Sequence, residues 1–330
     1  MRKSVYHIIF FCLLLTSSAS AGEKIQFELA PEFGIYDGET EYSLRVEYLY
    51  VDESSTTVDA AVASRLQFPL DTKLGGASLK VVNPHDKTKW SARAYYLTSL
   101  GDPSDKMIDS DWDKALPYHD ETLYSYTESD AELKMFMVGL DLTYRLFHSQ
   151  KISVSARGGI RYQKIEQDVI GYTGFQMPLL PDNTFGEPIY FSGDEEAIYY
   201  EIKIKQPTVG VQIDLDLNQN FSVATSALFA PIFFENLDDH LIRGKISTSD
   251  GDGKGFIGQF DARYSFPGSS NLKPFLGLVG EINTYDANGI QTQEWYVDEG
   301  DIPAGTAIGG IPHKVKGTQY RIGLNAGVMF

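Results

Sequence analysis

The chain has 330 residues, and its 45 acidic residues outnumber its 28 basic ones, giving a formal net charge of −17. A protein this acidic repels nucleic acid and attracts cationic partners, so we expect no nucleic-acid partner. The single cysteine, Cys12, lies in an apolar segment near the N-terminus. We therefore expect no disulfide, thiolate metal site or catalytic thiol in the rest of the chain.

The first 21 residues have the features of a secretory signal peptide. Arg2 and Lys3 provide the positive charge, Val5 to Thr16 is apolar, and the small residues Ala19 and Ala21 flank Ser20 at the expected cleavage site. The apolar segment is too short to span a membrane as a helix, and no longer one follows. The sequence predicts a signal peptide over residues 1–21 and a single exported domain over residues 22–330.

Several later segments alternate between apolar and polar residues with a period of two, which is the pattern of a strand with two different faces. In chain order these segments cover residues 136–144, 152–162, 209–217, 221–233, 256–266 and 320–330. A soluble sandwich also contains such strands, but it does not require charged rows such as Asp214 and Asp216 opposite a uniform apolar face. A membrane barrel with a polar interior explains both faces, and the terminal aromatic Phe330 is typical of its closing strand.

The connections between these segments alternate in length. Short ones, such as residues 147–150 and 218–220, alternate with long polar ones over residues 101–129, 171–195, 237–254 and 283–313. Outer-membrane barrels have short periplasmic turns and long extracellular loops. The sequence therefore predicts an all-β, transmembrane antiparallel β-barrel of about ten strands with long extracellular loops.

Two short motifs in the predicted loops combine residues that can perform acid–base chemistry. Asp238 and His240 are two residues apart, so in an extended segment they share a face, and the carboxylate can orient the imidazole and raise its basicity. Asp109 and Asp111 have the same spacing and can hold a water, share a proton or bind a cation. Taken singly, each motif also fits a solvated acidic loop, and the second fits an incomplete calcium site.

Together the two motifs resemble the omptins, the outer-membrane endopeptidases of Gram-negative bacteria. The shared residues are the Asp109-Ser110-Asp111-Trp112 element, the Asp238-x-His240 element and the separation between them. The resemblance implies a ten-stranded barrel whose two motifs face each other across an extracellular groove. It also implies that His240 is the general base, Asp238 its orienting partner, and that Asp109 and Asp111 position the attacking water. No metal or other cofactor is expected.

The resemblance also implies a substrate pocket and a lipid site. The family's two acidic pocket residues for Arg or Lys are replaced here by Tyr42 and Asn236, which puts cleavage beside basic residues in doubt. Cationic peptides or proteins remain the expected substrates because the predicted loops are acidic. A further expectation is a requirement for lipopolysaccharide, bound on the barrel exterior by residues that match the family positions: Tyr162, Lys164, Glu166, Lys203 and Lys254.

Two other functions stay open at this stage. A non-catalytic outer-membrane barrel, such as a channel or an adhesin, predicts that the two motifs do not converge. A lipid hydrolase requires a serine supported by a histidine, and we find no such arrangement in the sequence. The position of Asp109 and Asp111 relative to Asp238 and His240 therefore discriminates between a protease and a non-catalytic barrel.

Overall fold

The computed structural model describes residues 25–51, 54–83, 89–101, 104–267 and 272–330. The predicted signal peptide lies outside these ranges. Within them the chain forms twelve strands and one short 3-10 helix, Leu241–Arg243. The strands are β1 (Gln26–Val51), β2 (Thr57–Pro69), β3 (Thr72–Asn83), β4 (Trp90–Ser99), β5 (Ser104–Leu116), β6 (His119–His148), β7 (Ile152–Gln176), β8 (Ile189–Asp216), β9 (Phe221–His240), β10 (Lys245–Ser265), β11 (Lys273–Trp295) and β12 (Ala307–Met329). No helix in the described ranges is long and apolar enough to cross a membrane.

The twelve strands close into a ring with ten positions in the barrel wall. We call each position a stave, and it is filled either by one strand or by two strands placed end to end. The first half of β1 pairs with β3 and the second half with β2, so β2 and β3 together form one stave. For the same reason β4 and β5 form another, since both pair with β6. All pairs are antiparallel, and β12 pairs with β1 to close the ring. The predicted fold class, an antiparallel β-barrel, is confirmed, and the about ten predicted strands correspond to ten staves built from twelve strands.

The outer surface of the ring carries an apolar belt. Ile322 and Leu324 are each 56% exposed, whereas Arg321, which directly precedes Ile322, is 5% exposed. Other exposed members of the belt come from every side of the barrel, among them Phe33, Leu142, Ile160, Val209, Phe229, Phe260 and Leu278. The alternating segments therefore point in the directions expected from the sequence, with apolar side chains outward, as in outer-membrane barrels.

Inside the belt, the barrel is filled by paired polar side chains. Glu281 accepts hydrogen bonds from Arg161 (2.8 Å), Arg321 (3.2 Å) and Gln259 (2.6 Å), which come from three different strands. A polar cavity of about 440 Å³ lies at the end of the barrel where β1 begins, at Gln26, and β12 ends, at Met329. Pairing with several donors compensates the cost of burying these charges.

An apolar layer lies above this polar network, on the side away from the termini. Its buried members come from staves all around the ring and include Phe68, Met135, Ile165, Tyr200, Ile232 and Val315. Phe68 and Tyr200 stack with their ring centroids 4.0 Å apart, although they belong to opposite walls. This layer spans the interior and forms the base on which the residues of the two motifs stand.

Most of the chain predicted as long loops is in fact strand. The hairpins β5–β6, β7–β8, β9–β10 and β11–β12 continue beyond the apolar belt, and only residues 177–188 and 296–306 remain as longer irregular connections. Asp109 and Asp111 accordingly lie within β5, and Lys254 lies within β10. Above the belt both faces of a strand can contact water, so the apolar alternation that reveals a membrane strand disappears from the sequence.

Candidate active site

The acidic pair lies on β5, on the inner face of the upper barrel wall. Asp109 is opposite Leu66 of β2 and Thr127 of β6, and Asp111 is opposite Ser64 and Ser125. Since both aspartates have the same parity in the strand, their side chains project on the same side. Both are partly buried, and Oδ1 of Asp109 is enclosed without a hydrogen-bond partner.

The second pair lies at the end of β9. Asp238 is 1% exposed, and its Oδ2 is 3.0 Å from Nε2 of His240. An ionised carboxylate only accepts hydrogen bonds, so Nε2 carries the proton and Nδ1 keeps the lone pair that can act as a base. The strand ends at His240, and Gly244 closes the following turn with a φ of 57°. A Cβ at Gly244 would come within 2.0 Å of Val297, so only glycine fits there.

The two pairs face each other across the end of the barrel. Along the ring, β5 and β9 are separated by four steps in one direction, through β6, β7 and β8, and by six in the other. Burial together with the charges of Asp111 and Asp238 raises the pKa of Asp109 to about 7, and the charges of His240 and Lys245 oppose this rise. The two walls are therefore close enough to interact electrostatically, and the acidic pair can hold one proton near neutral pH.

Several unsatisfied polar atoms belong to these two walls. Besides Asp109 Oδ1, the buried atoms without a hydrogen-bond partner include Oδ1 of Asp238 and Oγ of Ser247, which is directly opposite Asp238 in the β9–β10 ladder. Buried polar groups are normally satisfied, often by water, so this position suits one or more bound waters. Within the described ranges, no group of three histidine or acidic side chains is arranged to hold a metal ion.

The predicted pocket residues lie just beneath the acidic pair and the Asp–His pair. Tyr42 is 2% exposed and accepts a hydrogen bond from Gln291, and Asn236 accepts one from Ser249. Burial and the charge of Asp238 raise the pKa of Tyr42, which keeps the phenol neutral. The base of the groove is thus lined by neutral polar groups, without the acidic residues of the family pattern.

His313, to which the sequence assigns no role, also belongs to this base. Its ring centroid lies 5.0 Å from that of Tyr42, and its Nε2 lies 3.3 Å from Ser249 Oγ. Burial lowers the pKa of His313 to about 4, so the ring is neutral at physiological pH. His119 instead lies at the start of β6, with Nε2 3.4 Å from Asp113 and its ring against Phe185.

Of the residues expected to bind lipopolysaccharide, Tyr162, Lys164, Glu166 and Lys203 form an exterior cluster on β7 and β8. Lys164 Nζ lies 2.7 Å from both Glu166 and Glu201, and Lys203 Nζ lies 2.6 Å from Glu201. Tyr162 lies on the same face of β7 as Lys164 and Glu166, and Lys254 is exposed on β10. The cluster therefore pairs cations with carboxylates, so that any bound phosphate must compete with Glu166 and Glu201.

Two cations near the groove have no counterpart in the sequence-based site. Lys245 is the first residue of β10, directly opposite His240. Arg243 lies in the preceding turn, where its Nε contacts Glu299. Sequence alone did not reveal them because they fall in a segment that was predicted as loop. Lys245, Ser247 and Ser249 share the inward face of β10, and this can be recognised only when β10 is known to begin at Lys245.

Comparisons with known proteins show the fold of this chain. No family model and no curated protein matches it. Among solved structures, the outer membrane protease OmpT from Escherichia coli is 14% identical, with coverage of 96% of this chain and 99% of that chain and a TM-score of 0.67. The TodX monoaromatic hydrocarbon channel deltaS2 mutant is 9% identical over 93% and 90% of the two chains, with a TM-score of 0.24. A Pseudomonas aeruginosa FadL homologue is 10% identical over 92% and 90%, with a TM-score of 0.22.

The match to OmpT shows that this chain has the fold of an outer-membrane β-barrel. The other two TM-scores are too low to support an argument. The sequence identity to OmpT is only 14%, so the match shows the fold of this chain and not its chemistry.

Proposed function

We propose that this protein is an endopeptidase of the omptin type that resides in the outer membrane with its groove facing the cell exterior. The observation that carries the proposal is the Asp238–His240 hydrogen bond on one wall, opposite the acidic pair on the other. The groove lies at the barrel end away from the termini and from the short β6–β7 and β8–β9 turns. In outer-membrane barrels that end is extracellular.

In this proposal a water molecule between the two walls is the nucleophile. Nδ1 of His240 removes a proton from the water, and the resulting hydroxide attacks the carbonyl carbon of the peptide bond. Asp238 holds the ring in place and stabilises the imidazolium. Asp109 and Asp111 share one proton, so one of them can donate a hydrogen bond to the tetrahedral oxyanion. His240 then returns its proton to the leaving amine, which yields a new carboxylate and a new amino terminus.

A non-catalytic channel fits this interior poorly. The polar network around Glu281 and the apolar layer above it are both built from side chains of several staves that contact one another inside the barrel. Neither layer resembles the water-filled lumen of a porin. An adhesin does not require a histidine hydrogen-bonded to a buried aspartate, and such a pair is costly to bury without a function.

For the substrate, we propose cationic peptides or proteins with relaxed choice at the cleaved residue. Acidic side chains at the upper barrel attract positive segments, whereas the pocket base of Tyr42 and Asn236 provides no carboxylate for a specific Arg or Lys contact. The test is cleavage of a peptide library by refolded wild-type protein and by His240→Ala. Cleavage that prefers acidic peptides contradicts the steering argument, and equal cleavage by both proteins contradicts the assignment.

We also propose that lipopolysaccharide activates the protein by binding the exterior cluster of Lys164 and Lys203, together with Lys254. Lysines at headgroup level bind phosphate by charge-assisted hydrogen bonds. Ordinary snorkelling of lysines at the membrane surface is the alternative. Activity of detergent-refolded protein should rise on addition of lipopolysaccharide, and the rise should be smaller in Lys203→Met. Equal activity with and without the lipid would show that the cluster has only an interfacial role.

A further inference from the structure

Lys245 is a buried lysine at the groove that the proposed mechanism does not use. It is 7% exposed and belongs to the inward face of β10, together with the buried Ser247 and Ser249. In the β9–β10 ladder it is directly opposite His240. Residues directly opposite in an antiparallel pair project on the same side, so Lys245 lies beside the Asp–His pair on the same wall.

The nearby acidic groups do not form a direct ion pair with this lysine in the described part of the chain. Asp238 directs Oδ2 to His240, and Glu299 is occupied by Arg243 and by the indole nitrogen of Trp295. The ammonium group thus faces several carboxylates without being neutralised by any one of them. Burial and the charge of Arg243 lower the pKa of Lys245, while Asp238, Glu299 and Asp109 act in the opposite direction.

The position of Lys245 matters for the balance of charge in the groove. The groove is faced by charged and titratable groups from every surrounding element: Asp109 and Asp111 on β5, Tyr124 on β6, Tyr200 on β8, Asp238 and His240 on β9, Arg243 in the turn, Lys245 on β10, Glu299 in the β11–β12 connection, His313 on β12 and Tyr42 on β1. Four of these are carboxylates, and the charges of Asp111 and Asp238 act on the buried Asp109. Without a nearby cation, their mutual repulsion would favour extra protons in the groove.

We propose that Lys245 is a positioning residue that balances the negative charge of the groove and sets the pH at which the acidic pair loses its shared proton. This inference rests on the proposed endopeptidase function. Arg243 is less suited to the role because its side chain is half exposed and bonded to Glu299. Lys245 acts through Asp109 and Asp238, since its position beside His240 lets it interact with both.

The test is the titration of Asp109 in the refolded full-length barrel, with and without the charge at position 245. The infrared carboxyl band that is lost in Asp109→Asn reports this group without any need for activity. In Lys245→Met its midpoint should rise by about 0.5 to 1 pH unit, the size expected for one charge several ångströms away in a partly screened site. Lys245→Arg should keep the wild-type midpoint.

Lys314→Met is the matched control, because Lys314 lies on the outer face of β12 in an ion pair with Asp286 (2.7 Å). It should leave the midpoint unchanged. The same variants are assayed for the pH dependence of kcat/KM, where the limb that disappears in Asp109→Asn should shift together with the infrared midpoint. Heat-modifiable migration on gels verifies folding, and Lys245→Gln serves as a second neutral variant if the methionine protein does not fold.

The outcomes separate the two proposals. An active wild-type protein whose Asp109 midpoint is the same in the neutral Lys245 variants overturns the role of Lys245. A wild-type protein that cleaves no peptide, yet shows the Lys245-dependent midpoint, overturns the endopeptidase function while supporting the electrostatic coupling.

Discussion

The buried Asp238 provides the most discriminating test of the site, because its neighbour Asp239 offers the same substitution on the opposite face of the strand. Asp238 is 1% exposed and 3.0 Å from His240, whereas Asp239 is bonded at the surface by Tyr296 Oη at 2.9 Å. Asp238→Asn preserves the shape of the side chain but removes the charge that stabilises the imidazolium in the proposed reaction. Two unit charges about 4 Å apart interact by about 4 kcal/mol at an effective dielectric constant of about 20.

That interaction energy corresponds to about three powers of ten in rate, and the remaining amide reduces the loss. We therefore expect kcat/KM to fall by about 10²- to 10³-fold in Asp238→Asn and by less than about threefold in Asp239→Asn. The assay is hydrolysis of a fluorogenic cationic peptide by refolded protein whose folding is verified by heat-modifiable migration. Equal losses in the two variants, or a small loss in Asp238→Asn, would refute the assigned partnership between Asp238 and His240.

Three further predictions concern the same groove. His240→Ala should lower kcat/KM by about 10²- to 10⁴-fold without unfolding the barrel, whereas His119→Ala should be nearly silent, and the reverse result would relocate the site. Asp109→Asn and Asp111→Asn should each slow peptide hydrolysis. In the double variant the fold-loss of rate should be smaller than the product of the two single losses, because both aspartates act on one water. A fully multiplicative loss would speak against a shared water. The raised pKa of Asp109, about 7 against an ordinary 3.8, means that the folded protein binds an extra proton between these values and loses stability as the pH rises through them. The Asp109→Asn variant should therefore be more stable than wild type above about pH 4, and the gain in the free energy of unfolding should reach at most about 4 kcal/mol above pH 7. Urea unfolding of the refolded barrel measures this gain. A gain confined to low pH would contradict the assigned cause.

The sequence was sufficient to predict the barrel because the membrane imposes a strict rule on each strand. Ile322 and Leu324 face outward and Arg321 inward, as the alternation requires. Above the membrane that rule no longer applies, so the sequence predicts a loop where the structure has the strand that contains Asp109 and Asp111. The hydrogen bond between Asp238 and His240 was foreseen from their spacing, since it depends only on local strand geometry.

Residues that join the site through pairing between distant strands were not foreseen. His313 reaches the groove base only because β12 lies beside β1, where Tyr42 is located. Gln291 reaches Tyr42 from β11, across a separation of 249 residues. Such contacts depend on register around the ring, and a single sequence contains no direct signal for register.

The tight turn between β9 and β10 has a consequence for the use of this barrel as a carrier of foreign peptides. Extracellular connections are the usual insertion points in barrels, because loop tips tolerate added residues. Here residues 241–244 link His240 directly to Lys245, and Gly244 has no space for even one methyl group. An epitope inserted there would displace His240 and Lys245 along with the turn. The connection over residues 177–188 lies outside both motifs and is the better position for display.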